Sequence, residues 1–134
     1  RKLKTLFRAS GIAYRHSVLD DYARLSDFTF YPNNLKHNLP GTKARGELYQ
    51  KHAPLLSAQA VHAAIEQTSL SPSDITHLIT ISCTGMYAPG LDIDLIKILR
   101  LRSDVQRTCI NFMGCYAAFN GLGLADSFCR SNPE

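Results

Sequence analysis

The sequence changes from a strand pattern to a helix pattern within residues 107–118, RTCINFMGCYAA. The residue types predict a strand over residues 107–112 and a helix over residues 115–131. Gly114 allows a tight turn between the two, so Cys115 is expected in the first turn of the helix. Backbone N–H groups at a helix N-terminus favour a thiolate over a thiol and can hold a developing oxyanion. Cys115 is therefore the strongest candidate nucleophile among the four cysteines.

A plain core thiol is the alternative at each cysteine, because free Cys is among the most buried residue types. Cys109, inside the predicted strand, and Cys129, inside the predicted helix, are expected to be core residues. Cys83 lies at the end of an earlier strand, before a Thr-Gly turn, and both interpretations stay open there. No Cys-x-x-C pair or Cys/His cluster has metal-ligand spacing, so we expect no metal site and reduced thiols in a cytoplasmic protein.

The helix after Cys115 carries apolar residues nearly all round, which predicts that it is buried on most sides. They are Tyr116, Phe119, Leu122, Leu124, Ala125 and Phe128. Gly121 and Gly123 weaken a helix interior, and close packing against another helix would explain them. A weak helix near the surface is the alternative.

The segments upstream alternate between the same two patterns. Residues 43–69 predict a long helix, or two helices joined at Pro54, and residues 75–83 predict a buried strand. Asp92 is expected as the N-cap of a helix over residues 92–100. This alternation predicts an α/β fold, with helices packed on a mostly parallel sheet.

The N-terminal third is less regular. Residues 1–10 predict a short basic helix, with a solvated tail as the alternative. Residues 12–42 predict a surface excursion with a short strand or two, since turn-forming residues recur there. These are Pro32, Asn33, Asn34, Asn38, Pro40 and Gly41.

Composition sets the class of protein. With 134 residues, 45% of them hydrophobic and 19% charged, the chain has room for one globular domain and does not look disordered. The net charge of +4 is too small to argue for nucleic acid by itself. Its basic residues concentrate at one end, as Arg1, Lys2, Lys4, Arg8 and Arg15. No signal peptide or membrane-spanning pattern is visible.

The last predicted helix is followed by no strand. In an α/β unit such a helix returns to another parallel strand, and a small sheet would leave apolar faces open. The sequence therefore predicts a fragment, or a unit that a partner completes.

Several short motifs lie along the chain in a specific combination. They are Ser10-Gly11-Ile12, Arg15-His16, residues 75–79, Thr84-Gly85, Pro89-Gly90, Leu95, Lys97, Leu99, Arg107 and Gly114-Cys115-Tyr116-Ala117. Together they resemble the N-terminal part of the type III polyketide synthases, the chalcone synthase-like enzymes. The resemblance implies that residues 1–134 form a partial N-terminal half of a thiolase-like αβαβα domain, with a mixed, mostly parallel sheet, from a homodimer. It also implies coenzyme A thioesters as substrates, with no covalently bound cofactor.

The resemblance assigns roles around the nucleophile. Cys115 matches the family's acylated Cys, which accepts an acyl starter from acyl-CoA before extension with malonyl-CoA. Cys83 and Thr84 match Thr and Ser that line the substrate cavity, and Tyr116 replaces the Phe that commonly follows the nucleophile. Ala118 and Phe119 stand where the family has a Gly pair. The cavity volume is therefore expected to differ from that of the plant enzymes.

Two further groups of residues match the family less closely. Ala88, with Pro89 and Gly90, falls on the loop that reaches across the dimer, where plant chalcone synthases have Met at the Ala88 position. The basic end matches residues that hold the phosphates of coenzyme A, and cations suit a multiply charged ligand. The candidates are Lys2, Lys4 and Arg8, whereas Thr5 and Ala9 replace Arg and Lys of plant members.

The family's mechanism also uses a His and an Asn, and none of the five histidines matches that His. The isolated chain is therefore expected to lack decarboxylative condensation. His77 is interpreted as a packing or hydrogen-bonding residue. The alternatives are a ketoacyl synthase III-like or hydroxymethylglutaryl-CoA synthase-like enzyme of the same superfamily, and a non-catalytic module that dimerises through apolar faces.

Overall fold

The computed structural model describes residues 2–32 and 39–131. Arg1 and the expected turn residues Asn33, Asn34 and Asn38 lie outside these ranges. The chain divides into two compact units, Arg1–Pro40 and Gly41–Glu134. Within the described ranges, no helix is both long and apolar enough to cross a bilayer.

The first unit begins with the predicted basic helix. Helix α1 spans Lys2–Ala9, and its residues are all exposed. The chain turns away from the helix at Gly11, whose φ of +67° is a left-handed conformation that glycine adopts without strain. The basic helix is thus confirmed.

Turns occupy the rest of the described part of the first unit. Residues 12–32 contain no strand, so the expectation of a strand or two is wrong there. The buried carboxylate of Asp21 accepts hydrogen bonds from the Thr29 N–H and hydroxyl, at 2.5 and 2.8 Å. These bonds, the backbone one first, hold the pKa of Asp21 below its usual value. Local side-chain to backbone bonding shapes this segment, where no strand partner is present.

The second unit has the alternating order that the sequence predicts. Strand β1 spans His77–Ser82 and strand β2 spans Gln106–Asn111. The strands are parallel, and their register pairs His77 with Gln106 and Ser82 with Asn111. The α/β class with a parallel sheet is confirmed.

Three helices flank these strands. Helix α2 spans Thr42–Ile65, helix α3 spans Leu91–Leu99 and helix α4 spans Ala117–Ser131. Helix α2 continues through Pro54 as one element, so the segment forms one long helix rather than two helices joined at Pro54.

The core lies between one sheet face and helices α2 and α3. Its buried members are Ala58, Leu95, Leu99, Leu101 and Val105, and Leu78 of β1 packs against them. Apolar residues at helical spacing form one face of α3. This face packs against every second side chain of β1, because alternate residues of a strand point to the same side of the sheet. Burial of this apolar surface is the main stabilising contribution to the unit.

Helix α4 covers the opposite sheet face. Gly121 lies so close to Ile81 of β1 that a Cβ atom there would overlap the Ile81 side chain. At the other end of the helix, the rings of Phe128 and His77 stack with centroids 4.3 Å apart. The close neighbour of Gly121 is thus a strand rather than the expected helix, and the packing role of His77 is confirmed.

Burial of α4 on most sides is wrong for this chain. Only Ala117 and Gly121 of the helix are buried, whereas Phe119 and Leu122 are 69% and 70% exposed. A sheet of two strands can cover only one side of a helix. Cys109 and Cys129 are also exposed rather than core residues. Within residues 2–32 and 39–131, no third strand pairs with β2 beside Cys109.

Candidate active site

The turn after β2 holds two residues in left-handed conformations. Phe112 has φ +62° and Gly114 has φ +66°. Glycine takes this conformation freely, but a bulky residue such as Phe112 rarely does, and such strain concentrates at functional sites. A Cβ atom on Gly114 would meet nothing within 4 Å, so the backbone conformation, not space, favours glycine here. The sharp turn expected from the sequence is confirmed.

Cys115 lies on this turn and is exposed. A single 3₁₀ turn over Gly114–Tyr116 holds it, and the α-helix begins only at Ala117. The nucleophile candidate therefore precedes the first α-helical turn rather than lying within it. Among the described residues, the Cys115 thiol has no hydrogen-bond partner. The thiol is accessible at the point where the chain passes from strand to helix.

Cys83 and Thr84 directly follow β1, as the turn that carries Cys115 follows β2. Cys83 is half-buried and Thr84 is exposed. Ser82, the last residue of β1, pairs with Asn111, the last of β2, so both loops leave the same edge of the sheet. Parallel α/β sheets bind ligands at the carboxyl ends of their strands. The sheet register brings together, at one edge, the segments that carry these predicted site residues.

The segment between β1 and α3, residues 83–90, is called the β1–α3 loop below. The Ser82 hydroxyl donates to the Gly85 carbonyl oxygen at 2.6 Å and accepts from the Gly85 N–H at 3.2 Å. The ring of Tyr49 covers Gly85 so closely that a Cβ atom there would overlap it. Gly85 is buried, and its lack of a side chain allows this approach.

Tyr87 anchors the same loop to helix α3. Its hydroxyl donates a hydrogen bond to Asp94 Oδ2 at 2.6 Å. Burial first, then this hydrogen bond and the negative charge of Asp94, raise the pKa of Tyr87 above its usual value. The hydroxyl therefore stays protonated and remains a donor.

Asp92 joins the loop end to the second strand. Its carboxylate forms an ion pair with Arg107 of β2, with Oδ2 2.7 Å from the guanidinium. Asp92 was expected to cap the helix, but the N-cap is Gly90, whose φ is +128°, and no side chain caps it. A buried carboxylate needs a partner, and the cation across the sheet supplies one.

A cavity of about 200 Å³ lies beneath the β1–α3 loop. Tyr49, Tyr87, Met86 and Leu91 supply its larger side chains, and Thr80, Ser82, Cys109 and Asn111 line the sheet side. Cys115 is not among its lining residues. The cavity and the exposed thiol are thus separate features of the same sheet edge.

The other predicted site residues lie on the surface. Tyr116 is exposed, and its ring centroid lies 5.9 Å from that of Phe119. In the β1–α3 loop, Ala88 and Pro89 are exposed and Gly90 is half-buried. The candidate phosphate-binding residues Lys2, Lys4 and Arg8 are all exposed on α1, in the first unit. Within residues 2–32 and 39–131, no group of three or more His, Cys, Asp or Glu could hold a metal ion.

Comparison with known proteins identifies the family. The model of the N-terminal domain of chalcone and stilbene synthases matches residues 1–134. The chain belongs to the chalcone and stilbene synthase family. The resemblance found in its motifs is therefore confirmed.

Individual members of the family agree with this assignment. A probable polyketide synthase of Dictyostelium discoideum is 32% identical over 99% of this chain, which spans 4% of that protein. The crystal structure of PKS-I from the brown alga Ectocarpus siliculosus superposes with a TM-score of 0.71 and 38% identity, over 84% of this chain and 29% of that one.

A third comparison extends the likeness in fold. CsyB, solved in complex with CoA-SH, gives a TM-score of 0.72 at 23% identity, over 97% of this chain and 32% of that one. The chain spans less than a third of each of these relatives. The thiolase-like fold, as a partial N-terminal half, is confirmed.

Sequence reasoning missed three residues that hold this edge, Tyr49, Tyr87 and Asp94, and it also missed the role of Arg107 as the ion-pair partner of Asp92. Arg107 entered only as a family motif residue. Tyr87 and Asp94 belong to no motif, and their seven-residue separation spans a loop and the start of a helix. The pair of acidic residues in the first turn of α3 was the only available signal.

Proposed function

We propose that this chain supplies the acyl-loading nucleophile of a type III polyketide synthase, and that residues 1–134 belong to one thiolase-fold domain of that enzyme. The observation that carries the proposal is Cys115, exposed on a sharp turn at the carboxyl edge of a parallel sheet, in a member of this family. Cytoplasmic location and a homodimeric assembly are part of the same proposal.

The loading step is an acyl transfer between two sulfurs. The Cys115 thiolate attacks the thioester carbonyl carbon of acyl-CoA, and the negative charge moves to the carbonyl oxygen. The bond from carbon to the sulfur of coenzyme A then breaks, and the leaving thiolate takes up a proton from solvent. Backbone N–H groups of the turn that holds Cys115 are the proposed donors for the transient oxyanion.

The second part of the proposal is that the full-length enzyme extends the acyl group with malonyl-CoA. In the family this step needs a His and an Asn to stabilise the enolate that decarboxylation produces. No histidine of this chain matches that His, so we expect acyl loading by this chain, without decarboxylative condensation.

The neighbouring loops are proposed to shape the acyl site. Cys83, Thr84 and Tyr116 are proposed to line the acyl-binding cavity of the full-length enzyme, although none of the three lines the cavity beneath the β1–α3 loop. Residues 88–90 are proposed to face the acyl-binding cavity of a second subunit. Supporting this, Cys83 and Thr84 leave the sheet at the same edge as the turn that carries Cys115. Ala88 is exposed. A residue that contacts a partner subunit has to be exposed when the chain is considered alone.

Incubation of the chain with an acyl-CoA tests the proposal. We expect a mass increase of one acyl group per chain, with release of one equivalent of coenzyme A thiol. Intact-protein mass spectrometry and a thiol-release assay measure the two quantities. A chain that gains no acyl group, while it dimerises in sedimentation experiments, would support the non-catalytic module instead.

The basic end is proposed to bind the phosphates of coenzyme A through Lys2, Lys4 and Arg8. Reversing all three charges to Glu is expected to raise the acyl-CoA concentration that gives half-maximal loading rate about tenfold or more, because charge-assisted contacts to phosphate are lost. Loading by the acyl thioester of N-acetylcysteamine, which has no phosphate, should change less than about twofold. The dependence of the single-turnover loading rate constant on thioester concentration gives both values. Equal effects on the two thioesters would contradict the assignment.

A further inference from the structure

The β1–α3 loop is anchored at both ends and at its middle. Near its start, Gly85 is bonded to Ser82 and covered by the Tyr49 ring. Its end is held by Asp92, which lies next to Gly90 and pairs with Arg107 at 2.7 Å. Between these points, the bond from Tyr87 to Asp94 at 2.6 Å is the contact that ties the loop centre to α3.

Tyr87 and Asp94 are well suited to hold the loop. A hydroxyl that donates to a carboxylate forms one of the stronger protein hydrogen bonds, and the Tyr87 ring also contacts Tyr49 edge to face, with centroids 6.2 Å apart. Asp94 lies in the first turn of α3, where the helix dipole stabilises its charge. Both partners are half-buried, so water competes only partly for the bond.

The residues between these anchors carry no comparable contact. Thr84 and Ala88 are exposed, and Met86 is 43% exposed. Their positions depend on the anchors on either side, and Tyr87 is the direct chain neighbour of Ala88. A change at Tyr87 therefore moves the loop surface without altering any side chain on that surface.

We propose that Tyr87 and Asp94 are positioning residues that fix the β1–α3 loop and thereby set which acyl groups Cys115 accepts. This inference rests on the proposed loading activity. Neither residue contacts the thiol, so their effect is on selectivity among acyl groups rather than on the reactivity of Cys115.

The variant Tyr87→Phe removes the hydrogen bond and keeps the ring. We expect the ratio of loading rate constants for long-chain and short-chain acyl-CoA to change about fivefold or more, since a charged hydrogen bond is lost. Alkylation of Cys115 by iodoacetamide should stay within about twofold. Asp94→Asn, which keeps an acceptor oxygen, should change the ratio less than Tyr87→Phe.

Tyr49→Phe is the matched control, because it also removes one tyrosine hydroxyl and keeps the ring that contacts Tyr87. Among the described residues, the Tyr49 hydroxyl has no hydrogen-bond partner. Its acyl selectivity should equal that of the unmodified chain. A Tyr87→Phe chain with unchanged selectivity, or a Tyr49→Phe chain with the same shift, would overturn the inference.

Hydrogen exchange separates this inference from the proposed function. Amides of residues 83–90 should exchange about tenfold faster in Tyr87→Phe, whereas those of β1 keep their rates. Unchanged exchange in the loop would overturn the anchoring role, even in a chain that takes up acyl groups. An unmodified chain that takes up no acyl group would overturn the proposed function, and the exchange rates would still decide the anchoring role.

Discussion

Replacing Cys115 with Ala is expected to lower the rate of acyl loading by about 1,000-fold or more, to the background rate of thioester hydrolysis, since removal of a catalytic nucleophile costs several orders of magnitude. Cys115 is exposed on a turn that contains two left-handed residues, Phe112 and Gly114, and no other cysteine of the described ranges lies on such a turn. Thiol release from acyl-CoA by the purified chain measures the rate.

Cys129→Ala is the matched control, since Cys129 is exposed and does not lie on a sharp turn. Cys109→Ala, at an exposed residue that also lines the cavity beneath the β1–α3 loop, is a second control. Their loading rates should stay within about twofold of the unmodified chain, as expected for surface substitutions. A comparable loss in either control would show that the reaction is a general modification of accessible thiols.

Replacing Leu95 with Ala is expected to reduce the free energy of unfolding by about 2–5 kcal/mol, the usual cost of a large-to-small change in a packed core. Leu95 is 3% exposed and lies in the cluster between the sheet and helices α2 and α3. Urea unfolding followed by circular dichroism measures the change. The slope of the transition should be unaltered, because the same surface is exposed on unfolding.

Ile98→Ala, in the same helix, is the control for Leu95→Ala. Ile98 is 40% exposed, and Ala has the higher helix propensity, so the cost should stay below about 1 kcal/mol. Equal effects of the two substitutions would contradict the placement of α3, because they would show that the two faces of the helix are equally buried.

The strands and the sharp turn were predictable because their signals are local. An apolar run between turn-forming residues predicts β1, and Gly114 followed by small residues predicts the turn at Cys115. The parallel pairing follows from a helix that connects two strands, as α3 connects β1 to β2. The sequence is therefore sufficient to place the candidate nucleophile at the carboxyl edge of the sheet.

The contacts of the β1–α3 loop were not predictable in the same way. An acidic residue at the start of a helix fits both an N-cap and an ion pair, and only the position of Arg107 on the neighbouring strand decides that Asp92 forms the pair. The bond from Tyr87 to Asp94 likewise depends on how the loop returns toward α3, which no periodic pattern encodes.

The exposure of α4 has a different cause. The apolar pattern of a helix indicates how much of its surface could be buried. It does not indicate how much of that surface the neighbouring elements cover. Here two strands cover the side with Ala117 and Gly121, and Phe119 and Leu122 remain exposed on the other sides.

Peptide mapping of the acylated chain is the most direct test of the central claim, that Cys115 is the acyl-accepting nucleophile. After brief exposure to an acyl-CoA, proteolysis and tandem mass spectrometry locate the acyl group among the four cysteines. We predict that the acyl group is found on Cys115, with Cys83, Cys109 and Cys129 remaining free thiols. An acyl group distributed over all four cysteines, or placed on one of the other three, would contradict the claim.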